Sequence, residues 1–98
     1  MNWTVKLSTK LQKKALKLPK AIQESFFLLG KDLQADGPEQ LTWPNYGKLK
    51  GTKDVYHCHL NKGKPRYVVV WKVTDDDIQI MEIKYVGTHE KVNYRKFS

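Results

Sequence analysis

One cysteine, Cys58, stands among 98 residues, so no disulfide can close within the chain. Its apolar strand neighbours lead us to expect a buried, unreactive thiol. Long hydrophobic runs are missing as well. No stretch approaches the ~20 apolar residues of a membrane span, and the opening Met-Asn-Trp-Thr-Val-Lys is not a charged segment followed by an apolar leader core. A cytoplasmic location with no membrane partner is the default expectation. Acids are scarce, 10 against 18 Lys and Arg, for a net charge of +8. Their densest group, Asp75-Asp76-Asp77, lacks the spaced oxygen ligands, glycine and distal Glu of a calcium loop and reads as a solvated turn. Glycine and proline are few, 6 and 4, and most of them fall between residues 37 and 65 as loop and turn signals rather than low-complexity sequence. What remains is 40% hydrophobic and 11% aromatic, too apolar for disorder. Residues 1–98 are expected to form a single domain that buries roughly 60–70% of the surface its unfolded chain exposes.

The chain is organised around residues 54–73, two strand-like runs flanking a turn with Gly63 and Pro65, which predicts a β-hairpin. A period of two puts Tyr56, Cys58 and Leu60 on one face and Val55, His57 and His59 on the other. In the second run Tyr67, Val69, Trp71 and Val73 form an apolar face, with Arg66, Val68, Val70 and Lys72 behind it. Matching like faces sets His59 opposite Val68 and diagonal to Arg66. Between residues 48 and 72 lie Lys48, Lys50, Lys53, Lys62, Lys64, Arg66 and Lys72 against a single acid, Asp54. Such a positive field suits a polyanion such as nucleic acid, or an acidic protein.

Trp3, Val5 and Leu7 alternate as a first strand, and Thr9 with Gln12 predicts a capping box. Apolar residues then recur by threes and fours from Leu11 to Leu33, interrupted at Pro19, which predicts helices over about 9–18 and 19–35, stopped by Gly37 and Pro38. The lysines on the first helix, Lys10, Lys13, Lys14, Lys17 and Lys20, could touch a phosphate backbone but read more readily as solvated surface. Periodicity vanishes over 37–53, a long loop whose Trp43 and Tyr46 could plug the core edge or stack on bases. A last strand is expected over 78–86, with Met81, Ile83 and Tyr85 on the core face, followed by His89 and a polar tail. The fold class is α+β: a strand, an αα-hairpin, then a mainly antiparallel sheet of about four strands with helices on one face.

This order resembles the RelE/ParE superfamily of type II toxins across nearly the whole chain. The resemblance rests on Leu18-Pro19 between two helices, Gly47-Lys48-Leu49-Lys50-Gly51 before the hairpin, the Val68–Val73 strand, and Tyr85-Val86-Gly87-Thr88-His89-Glu90. It implies a toxin with a cognate antitoxin partner. RelE-like members are ribosome-dependent mRNA interferases, whereas ParE-like members poison DNA gyrase. The chain looks like the histidine-bearing RNase type. His59 and His89 occupy comparable places, Arg66 resembles the family's phosphate-binding arginine shifted by two residues on the same strand face, and Tyr94 lies near its terminal aromatic.

Cleaving RNA without a metal takes a base for the 2′-OH, cations for the phosphorane and an acid for the departing 5′-oxygen, roles that His and Arg or Lys can fill. The expected catalytic set is therefore His59, His89, Arg66 and Tyr94, with Lys48, Lys50, Lys53, Lys62, Lys64 and His57 on the RNA and no cofactor. Three alternatives stand beside it: a zinc site on His57, His59 and His89, a gyrase poison, and a basic binding module without catalysis.

Overall fold

The computed structural model describes residues 2–97, which run β1 (Thr4–Lys6), α1 (Thr9–Ala15), α2 (Lys20–Asp36), β2 (Gly47–Lys48), β3 (Val55–His59), β4 (Tyr67–Asp75) and β5 (Ile80–Thr88). Two 3-10 turns follow, His89–Lys91 and Tyr94–Phe97.

The helix pair forms as the periodicity requires, with its ends shifted. Ser8, not Thr9, caps α1, its Oγ accepting from Leu11 N–H at 3.2 Å, while Gln12 donates from Nε2 to Leu7 O. The helix ends three residues early because the chain tightens before Pro19, where Lys17 and Leu18 donate to Lys14 O and Ala15 O. Gln23 Nε2 then serves the carbonyls of Leu16 and Leu18, at 3.0 and 2.7 Å, closing the corner. Gly37 stops α2 at φ 90°, and a Cβ there would stand 2.9 Å from Trp3 Nε1.

Ile22, Leu29 and Leu33 of α2 and Ala15 of α1 pack on Cys58, Leu60, Val69, Trp71, Met81, Ile83 and Val86. Complete burial of Leu29, Leu33, Val69 and Met81 stabilises by roughly 1.5–3 kcal/mol each. The sheet has five strands, in the order β1-β5-β4-β3-β2, with β1 parallel to β5 and the other pairs antiparallel. The strand beyond the expected four is β2, a two-residue edge inside the 37–53 loop, too short to leave a periodic signal. Trp43 and Tyr46 of that loop close the core. Trp43 Nε1 donates to Asp32 at 2.9 Å, and Tyr46 stacks at 6.2 and 6.3 Å on Tyr56 and Trp71. Cys58 is fully buried, which pushes its thiol up to about 12.

One expectation is overturned in β5. Val70 pairs with Tyr85 but Trp71 pairs with Ile83, so Lys84 is an extra residue in the ladder. This bulge reverses the alternation: Ile83 and Val86 point into the core, and Tyr85 joins the opposite face beside Val70. The turn before β5 spans 76–79, with Asp75 Oδ1 accepting from Asp77 and Ile78 N–H, so the strand begins at Ile80 rather than 78.

Candidate active site

The β3–β4 register sets His59 opposite Val68 and His57 opposite Val70, and β5 continues these rows with Gly87 and Tyr85. Val68 and Val70 thus form an apolar floor on the sheet face away from the helices. His57 and His59 stand on one side of it, Tyr85 on the other. The chain beyond β5 returns over this face. His89 N–H donates to Arg66 O at 2.8 Å, which anchors the first 3-10 turn to the start of β4. That bond brings the His89 ring to 5.4 Å from the His59 ring, edge to face. Further along, Tyr94 tilts against His57 at 5.5 Å.

His59, His89, Arg66, His57 and Tyr94 are thus brought to one face. Lys64 and Arg66 line a groove of about 200 Å³ with Thr88, His89 and Glu90, and Lys62 is exposed in the same β3–β4 turn. The other lysines lie elsewhere. Lys50 and Lys53 occupy the turn that leads into Val55, at the far end of β3 from His59. Lys48 pairs with Tyr56, so the pleat sends it toward the helix-bearing side. Gly47, its neighbour, leaves room for His57, whose Nε2 would lie 3.3 Å from a Cβ there. Among the described residues no three His, Cys, Asp or Glu side chains converge as a metal set, so the zinc alternative finds no geometric support.

Burial sets the protonation states. His59 is only 6% exposed, and desolvation, then the charges of His89, Arg66 and His57, hold its pKa below the ordinary imidazole value. His57 is lowered by burial and then by His89, and its Nδ1 is shut from solvent without a partner among the described residues. Both rings are therefore neutral bases near pH 7. Tyr94 and Tyr85 are raised chiefly by burial and remain neutral phenols. His89 is exposed on its 3-10 turn.

Sequence reasoning placed Tyr85 on the wrong face and read Lys14 chiefly as solvated helix surface. Tyr85 was hidden by the bulge. Lys14 Nζ reaches from α1 to 4.4 Å from the Tyr85 ring centre. The signal for it was Gly87, a small residue within a strand, which marks a close approach by another group.

The chain matches no sequence-family profile and no curated protein. Solved structures do match it. A chain of the archaeal RelE–RelB complex from Pyrococcus horikoshii OT3 superposes with a TM-score of 0.73 at 22% identity, over 94% of this chain and 100% of that one. The isolated E. coli RelE toxin gives 0.68 at 18%, over 97% and 93%. A chain of the YoeB dimer from Staphylococcus aureus gives 0.67 at 18%, over 91% and 99%. At these identities the likeness is one of overall architecture.

Proposed function

Taking the RelE-like fold as the premise, we propose that this protein is the toxin of a type II toxin–antitoxin system and acts as a ribosome-dependent endoribonuclease on mRNA. The observation that carries the reading is the His59–His89 pair, 5.4 Å apart beside Arg66 at one end of the sheet. Neither a gyrase poison nor a basic binding module needs two imidazoles facing each other there.

His59, buried and held neutral, is the general base that takes the 2′-OH proton. The 2′-oxygen attacks the adjacent phosphorus, and Arg66 with Lys64 stabilises the charge on the equatorial oxygens. His89, protonated, turns outward to admit the phosphate and gives its proton to the departing 5′-oxygen. The products are a 2′,3′-cyclic phosphate and a 5′-OH, so the two histidines exchange protonation states in each turnover. His57 and Tyr94 pack against each other on the same face. These roles need imidazoles and cations only, which makes the reaction metal-independent.

The antitoxin partner has two features of this surface to satisfy. It is acidic where it crosses the basic 48–72 segment. It also covers the apolar groove of about 440 Å³ between α1, α2 and β1, where Leu16 and Phe27 are 73% and 64% exposed beside Lys31. The test is translation in a purified system. Message cut within the ribosomal A site supports the reading, whereas intact message with trapped gyrase–DNA complexes would replace it with the poison.

A further inference from the structure

Lys14 carries a second positive centre onto the histidine face. Tyr85 Oη donates to Thr88 O at 2.8 Å, which holds the phenol beside Gly87. A Cβ at residue 87 would stand 2.7 Å from that hydroxyl and 3.1 Å from Lys14 Nζ, so the bare glycine is what admits the ammonium. Partial burial, then the charges of Lys10, Lys91 and Lys96, lower the pKa of Lys14. These four lysines line a cleft of about 470 Å³ between α1, β5 and the C-terminal turns. The acid on its wall, Glu82, is already tied to Lys84 at 2.8 Å. None of the four lysines has an ion-pair partner among the described residues. Converging ammonium groups repel one another, so the arrangement is completed by an anion.

We infer that this cleft, centred on Lys14, is a second phosphate subsite that holds the backbone of the same message whose scissile phosphate meets His59 and His89. The inference rests on the endoribonuclease reading above. Gly87, Val68 and His59 are successive partners across β5, β4 and β3. At strand spacings near 4.8 Å, the ammonium over Gly87 and His59 are about 10 Å apart, the rise of roughly three stacked nucleotides. This spacing matches one continuous RNA strand better than an acidic protein. The strand would run over the C-terminal turns that cover Val68 and Val70, from the Arg66 end to the α1 edge.

The test compares the parent with Lys14→Met and Lys14→Arg, measuring affinity across salt concentrations for ribosomes with and without message. The message carries 2′-O-methyl groups at the A-site codon, which remove the nucleophile. Met keeps the apolar stem against Tyr85, so melting should follow the parent. On programmed ribosomes, Lys14→Met should bind more weakly whatever the codon and lower the salt slope by about 0.7–1. Arg should restore both, and affinity for message-free ribosomes should not change. An unchanged slope overturns the subsite, as does an equal loss with and without message, or a loss seen only against an acidic antitoxin. If the parent cuts message and Lys14→Met binds like it, the subsite alone falls. If the parent neither prefers programmed ribosomes nor cuts message, the endoribonuclease reading falls and takes the subsite with it.

Discussion

Replacing His89 with glutamine separates chemistry from folding. The His89 ring is exposed, and the bond that anchors its turn, His89 N–H to Arg66 O at 2.8 Å, belongs to the backbone and survives the change. What is lost from stability is the edge-to-face contact with His59, worth about 0.5 kcal/mol at an exposed position. For a chain of 98 residues that corresponds to a melting shift of about 2–4 °C. The loss in rate is of another order. Glutamine matches histidine in size and hydrogen bonding but cannot protonate the leaving oxygen, and a general acid contributes about 10²–10⁴-fold, or about 3–5 kcal/mol of barrier. The assay is single-turnover cleavage of message on saturated ribosomes, run across pH. The parent should lose rate below about 6.5, where His59 takes up a proton and can no longer act as base. His89→Gln should be at least about a hundredfold slower and keep that acid limb. Full activity would refute the acid role, and a melting loss large enough to account for the rate would make His89 structural.

Gly87→Ala should displace the Tyr85 hydroxyl or the Lys14 ammonium, costing about 1 kcal/mol, while the lost backbone freedom of the unfolded chain returns about 0.4–1 kcal/mol. Melting should therefore hardly move while affinity for programmed ribosomes falls, and parent-like affinity would show that the crowding does not matter. Stability should decline as pH drops below about 6.5, because burial depresses His57 and His59 and the unfolded chain then binds protons that the folded one excludes. Stability already complete above that value is lost as pH falls through the lowered folded values, and a melting temperature flat from pH 7 to about 5 would contradict it. Replacing Lys50 and Lys53 with alanine should weaken ribosome binding and flatten its salt dependence without altering the single-turnover pH profile, since both lie at the far end of β3 from His59. Unchanged binding across salt would return them to solvated surface.

Much of this architecture was legible because two periodicities dominate the chain. Alternation in 54–73 gave the β3–β4 hairpin and the His59–Val68 pairing, and the three-four spacing around Pro19 gave both helices. Helix ends were read less well, since Ser8 and Thr9 are equally good caps on paper and only the turn geometry chooses. β2 escaped notice because two residues have no period. Tyr85 was misassigned for a deeper reason. A bulge changes the phase of a strand without changing its composition, so alternation counted from Met81 runs true to Ile83 and false beyond it. The gathering of His59 with His89 follows from the order and register of the strands that carry them. The return of Tyr94 onto His57, and the reach of Lys14 around the β5 edge, depend on tertiary packing that no local pattern encodes.

The extra residue at Lys84 makes β5 a strand with two reading frames. Upstream of it, odd-numbered positions belong to the interior, and downstream even-numbered ones do. Substitutions at Lys84 should be borne easily by the fold, because its side chain is partly exposed and its ion pair with Glu82 lies at the surface. Deleting it is another matter. The second half of the strand would then offer Tyr85 to the interior in place of Val86, and Val86 to the outer face in place of Tyr85. The phenol beside Lys14 and the valine beneath the helices would be lost in one step. For this protein the count of residues between Ile83 and Tyr85 is under tighter constraint than their identity, and length variants in this segment will be rarer than point variants.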